Sequence, residues 1–124
     1  GLDKIGEQII FNALVVSRIM YASQAFNGYL CEYDIAKLQA ILNKAYRYKI
    51  IANKMDVKQM FESADVKLFS AITRVNGHCL QSLLLPKPVT SMQLRPRGHN
   101  FQLPNVETEL HKLSYLVRCL YKYV

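Results

Sequence analysis

The stretch YDIAKLQAILNKAYRYKI, residues 33–50, decides how the rest of the chain is read. Wound at about 100° per residue, it places Leu38, Leu42, Ala45 and Tyr46 on one side, with Ile41 at the edge. Lys37, Lys44 and Tyr48 align on the opposite side, flanked by Arg47. The stretch is therefore an amphipathic helix. Periodicity alone leaves two readings open: a core-packing helix with solvated lysines, or one that packs inward and offers cations and an aromatic ring to a polyanion.

Working outward, 124 residues make one domain's worth of chain with a small core. A hydrophobic fraction of 51% with 20% charged residues argues against wholesale disorder. The formal net charge of +7 favours an anionic partner, either nucleic acid or an acidic membrane surface. Cys31, Cys79 and Cys119 are few, scattered and odd in number, which fits free thiols in a reducing compartment. His78 and Cys79 are the only adjacent Cys/His pair, so no metal and no other cofactor is expected.

The opening GLDKIGEQ is too polar for a secretory signal. The apolar run at residues 9–21 is interrupted by Asn12 and Arg18 and is too short to span a bilayer core of about 30 Å. These features predict an intracellular protein, cytoplasmic or nuclear, without a membrane partner. Gly1 is not an initiator methionine, so the chain reads as a piece of something longer.

Asp3 is placed to cap a helix over residues 4–26. Residues 11–20 are apolar almost all round, which predicts burial, and either an exposed strip or self-association if this chain cannot cover them. Asn27 and Gly28 break the helix. Asp56 is a plausible cap for a short helix over 57–63, and Asp65 for another that ends at Asn76 and Gly77. Leu80, Leu83, Leu84 and Leu85 form an apolar plug stopped by Pro86 and Pro88.

Residues 87–104, KPVTSMQLRPRGHNFQLP, read as a long irregular loop containing Pro and Arg. Between residues 66 and 106 there is no Asp or Glu, whereas Lys67, Arg74, Lys87, Arg95 and Arg97 are present and project an uncompensated positive field. Asn105, with Glu107 and Glu109 behind it, is expected to start a last amphipathic helix. Its apolar seam is Leu110, Leu113, Val117, Leu120 and Val124. His111, Tyr115, Arg118 and Lys122 line its other face. The fold class expected is all-α, a small helical bundle with this loop and a C-terminal amphipathic helix.

No H-x-x-x-H, G-x-S-x-G or G-x-x-x-x-G-K pattern appears, nor an adjacent Asp pair suited to two magnesium ions. What remains is a basic, tyrosine-rich helical surface. Phosphates need Lys and Arg with no fixed spacing, and rings stack on bases or pack on sugars. The candidate nucleic-acid contacts are Lys37, Lys44, Arg47, Arg95, Arg97, Arg118 and Lys122.

Several phrases, taken in order, resemble the C-terminal part of polyproteins encoded by jockey-like, LINE-type non-LTR retrotransposons. They are VVSRIMYASQAFNGYL (15–30), KLQAILNKAYRY (37–48), SADVKLFSAI (63–72), NGHCLQSLLLPKP (76–88), LRPRGHNFQLP (94–104) and YLVRCLYKY (115–123). The resemblance implies that residues 1–54 form a region like a reverse-transcriptase thumb, with Lys37, Lys44 and Arg47 on the backbone of a template–primer duplex. Residues 55–124 would then form the C-terminal helical region, with the loop at 86–104. Phe26 stands where the family usually has Trp. The palm with its catalytic Asp pair would precede this segment, so the resemblance implies a non-catalytic piece whose partners are nucleic acid and that palm. The alternative is a domesticated or decayed retroelement remnant serving as a protein-interaction module, or without function.

Overall fold

A computed structural model describes residues 1–86 and 98–124. The chain is all-α: among the described residues every regular element is helical. It divides into two compact units, Gly1–Ala64 and Asp65–Val124. The division falls inside one continuous helix.

In the first unit, Asp3 caps α1 (Lys4–Phe11) by accepting a hydrogen bond from the Gly6 amide at 2.7 Å. Glycine is what lets the carboxylate come so close, since a Cβ at this position would lie 2.8 Å from the capping oxygen. The helix continues through a π-helical turn, Asn12–Val16, into α2 (Ser17–Met20). The extra residue of a π-turn rotates the helix on its N-terminal side relative to the helix on its C-terminal side. Val15, Val16, Ile19 and Met20 thus join the core, while Ile5, Ile9 and Leu14 stay open to solvent.

This corrects two expectations. Of residues 11–20 only Ile19 is buried, so the segment forms the exposed strip that its all-round apolarity also predicted. Nor does the helix run unbroken to residue 26. Tyr21 is extended and Ala22 left-handed (φ 52°), and α3 (Ser23–Phe26) comes next, with a 3₁₀ turn, Asn27–Tyr29, after it. By length and composition the longer stretch Lys4–Tyr29, which includes residues 9–21, is apolar enough to cross a membrane. Its unbroken part, Lys4 to Met20, measures about 25 Å at 1.5 Å per residue.

The helix α4 (Glu32–Arg47) opens on a capping box in which Asp34 Oδ2 accepts from the Cys31 amide at 3.3 Å and from its thiol at 3.0 Å. These hydrogen bonds, the thiol's first, hold the Asp34 carboxyl below its ordinary pKa. The helix closes with Lys49 left-handed (φ 60°). The Lys49 amide donates to Tyr46 O and the Ile50 amide to Ala45 O, satisfying two terminal carbonyls in a Schellman arrangement. Leu42 and Ala45 face the core, as their spacing predicts, whereas Tyr46 stays exposed.

Gln39 fastens the turn after α4, donating to Met55 O at 2.8 Å and accepting from the Val57 amide at 2.9 Å. Asp56 accepts from the Lys58 and Gln59 amides and caps α5 (Val57–Arg74). Ile19, Leu42, Val57 and Phe61 make this unit's core, with Phe26 edge-on to Phe61 at 5.9 Å. The expected pair of short helices is one helix, because nothing between Ser63 and Asp65 breaks it. Asp65 is a mid-helix residue rather than a cap.

The second unit takes the rest of α5, which stops at Arg74 before left-handed Gly77 (φ 82°). The leucine plug becomes a 3₁₀ turn, Gln81–Leu83, and of the four leucines only Leu84 is buried. Phe69, Ile72, Leu84, Cys119 and Leu120 form the core. His99 is built into it: Nε2 lies 2.6 Å from Leu120 O and Nδ1 accepts from the Phe101 amide at 3.1 Å. Gly98 passes so close to the C-terminal end of the chain that a Cβ would collide with the Tyr123 carbonyl.

The last helical region starts later than expected. Thr108, not Asn105, caps α6 (Glu109–Leu113), accepting from the His111 amide at 3.2 Å. An extended Ser114 separates it from α7 (Tyr115–Lys122). The break divides the expected seam: Val117 and Leu120 are buried, while Leu110, Leu113 and Val124 are exposed.

Candidate nucleic-acid interface

The outward face of α4 runs from Tyr33 through Lys37 and Lys44 to Arg47 and Tyr48, all exposed, over about 22 Å. Ala36 and Ala40 keep the middle of the helix low beside these longer side chains. Its charge is arranged by sequence. Between residues 35 and 55 there is no Asp or Glu, but there are Lys37, Lys44, Arg47, Lys49 and Lys54.

The helix's own acids sit in its first turn and are already engaged. Glu32 pairs with Lys58 at 2.9 Å, and Asp34 belongs to the capping box. Among the described residues no carboxylate lies within ion-pair distance of Lys44, Arg47 or Lys49. Tyrosines do approach the cations: Lys37 Nζ lies 4.2 Å over the Tyr33 ring and Lys54 Nζ 5.8 Å over Tyr46. Such an array can neutralise phosphates.

The expected contacts fare differently. Lys37, Lys44 and Arg47 are all exposed on α4. Arg95 and Arg97 lie outside the described residues. In the second unit, Lys122 is exposed near the end of α7, with Nζ 5.6 Å over Tyr123. Arg118 is engaged within the second unit. Its side chain is only 19% exposed and its guanidinium is bound to the buried carboxylate of Asp65, so a phosphate would have to displace that ion pair.

Tyr115 likewise turns inward from the polar face expected of it and donates its hydroxyl to Asp65 O at 2.8 Å. Burial raises the Tyr115 phenol above its ordinary range. Lys49, Lys54 and Tyr33 were not among the expected contacts. The acid-free run at residues 35–55 was the signal that pointed to the two lysines.

Among the described residues no three His, Cys, Asp or Glu side chains gather where they could hold a metal ion. His78 Nδ1 accepts from the Leu80 amide at 3.2 Å, and Cys79 Sγ stands 4.0 Å from the same nitrogen. Cys31, Cys79 and Cys119 are all free thiols. No family model, no curated protein and no solved structure matches the chain.

Proposed function

We propose that this chain is a non-catalytic, thumb-and-tail-like segment of a retrotransposon reverse transcriptase that grips nucleic-acid backbone. The observation that carries the reading is the α4 face, where Lys37, Lys44 and Arg47 stand apart from the buried Leu42 and Ala45 with no acid among them. A helix that only needed solubility would gain from mixed charge, with acids four residues before lysines. A single-sign face suits a polyanion instead. Chemistry would come from a palm outside this chain, and the thumb's share is affinity. Comparing the salt dependence of oligonucleotide binding between the unmutated chain and Lys37→Gln/Lys44→Gln tests it.

A second reading, a retroelement-derived protein-interaction module, is favoured by one observation. Leu2, Ile5, Ile9 and Leu14 are all more than half exposed along the first turns of the chain. An apolar surface of this kind promotes association. Self-association is its simplest form, and sedimentation equilibrium of the full chain measures it.

A further inference from the structure

The end of α4 adjoins a feature that a backbone grip does not use. Tyr48, the residue at the helix C-cap, is 61% exposed. Among the described residues neither a cation nor another ring lies over it, unlike Tyr33 and Tyr46. It forms part of a groove of about 440 Å³ within the first unit, together with Leu2, Ile10, Leu14 and Ile50. The one acid in the lining, Glu7, is paired with Lys4 at 3.3 Å. An apolar groove with a bare aromatic ring thus opens at the end of α4; Lys44 stands one turn before Tyr48 on that helix, and Arg47 and Lys49 flank it in sequence without lining the groove.

That combination separates two kinds of polyanion. A duplex turns its base faces inward and presents sugar and phosphate, so an exposed ring beside an apolar groove gains little from it. A single strand carries the same phosphates and also flat apolar base faces that stack on aromatic rings with little regard to sequence. An acidic peptide would satisfy the lysines but has no comparable use for a bare ring.

Building on the nucleic-acid reading above, we infer that the ligand is a single strand. One unpaired base is seated in the groove against Tyr48, and the flanking phosphates lie on Lys44, Arg47 and Lys49.

The test measures fluorescence anisotropy of the full chain at low salt with four labelled probes. They are a short oligothymidylate, an abasic strand of equal length, the matching duplex, and an acidic peptide of similar charge. Oligothymidylate is expected to bind roughly tenfold or more tightly than the abasic strand. Tyr48→Ala should erase that difference without weakening abasic binding, and Tyr48→Phe, which keeps the ring, should preserve it. Circular dichroism verifies that both variants keep their helix content.

Equal binding of oligothymidylate and abasic strand overturns the seated base while leaving the backbone grip intact. So does a duplex that binds as tightly as the single strand, or a Tyr48→Ala variant that still discriminates. If no nucleic acid binds, or the peptide binds most tightly, the nucleic-acid reading itself falls.

Discussion

Arg118 on α7 donates to the buried carboxylate of Asp65 in the middle of α5, across 53 residues of sequence. The Tyr115 hydroxyl, one turn earlier on α7, reaches the backbone carbonyl of the same residue. Together these bonds pin the last helix of the second unit to the helix that begins it. A carboxylate only 4% exposed needs a cation close by, because burying an unpaired charge costs more than the pair gains. Arg118→Ala should therefore destabilise the second unit by about 3 kcal/mol. The double variant Arg118→Ala/Asp65→Ala should lose much less than the sum of the single changes. Urea unfolding by circular dichroism measures both. A neutral Arg118→Ala would show that Asp65 is not held as described.

Lys49 offers a change in the opposite direction. It occupies the left-handed position that closes α4, where a side chain costs about 1 kcal/mol and glycine does not. Lys49→Gly should raise stability by up to about 1 kcal/mol, partly offset by glycine's greater freedom when unfolded. A rise of several degrees in the thermal midpoint is the expected result.

Cys119 predicts a pH dependence. Burial pushes its thiol from an ordinary 9.0 up to about 11 in the folded chain. The unfolded chain therefore releases this proton first as pH rises. The contribution to stability is complete below about pH 9 and is lost as pH climbs towards 11. Tyr115, raised for the same reason, adds a loss of the same sign at still higher pH. At neutral pH, iodoacetamide should label exposed Cys31 and Cys79 while sparing Cys119 until the chain unfolds.

The outer strip of α1 should bind a hydrophobic dye. Ile5→Gln/Ile9→Gln should remove most of that fluorescence and any self-association. Stability should change by less than about 0.5 kcal/mol per site, since neither side chain reaches the core.

Local chemistry was legible in the sequence where one residue acts on its neighbours. Asp3 and Asp56 cap the helices their positions announce, Gly77 ends α5, and the α4 spacing separates Leu42 and Ala45 from Lys37 and Lys44. What escaped depends on distant or subtle partners. Asp65 looks like a cap because its true partner lies 53 residues away. The π-turn at Asn12–Val16 has no compositional marker, and Ala22 is a poor guide to a left-handed break. Asn105 and Thr108 are both good capping types, and only the hydrogen bond to His111 picks Thr108. In the candidate interface, the same long-range pairing removed Arg118 from the free cations, while Lys49 and Lys54 gained interest from the absence of acids around them.

The most direct test of the proposed grip is the slope of log affinity against log salt for the full chain on short nucleic acids. If Lys37 and Lys44 contact phosphates, each loss should lower that slope by roughly 0.7 to 0.9. Lys37→Gln/Lys44→Gln should therefore flatten it by about twice that amount with helix content unchanged, because both residues are exposed, away from the buried seam. Lys112→Gln, an exposed lysine on α6, serves as the control and should leave the slope nearly as it was. An equal fall in the control, or no binding by the unmutated chain at low salt, would contradict the account.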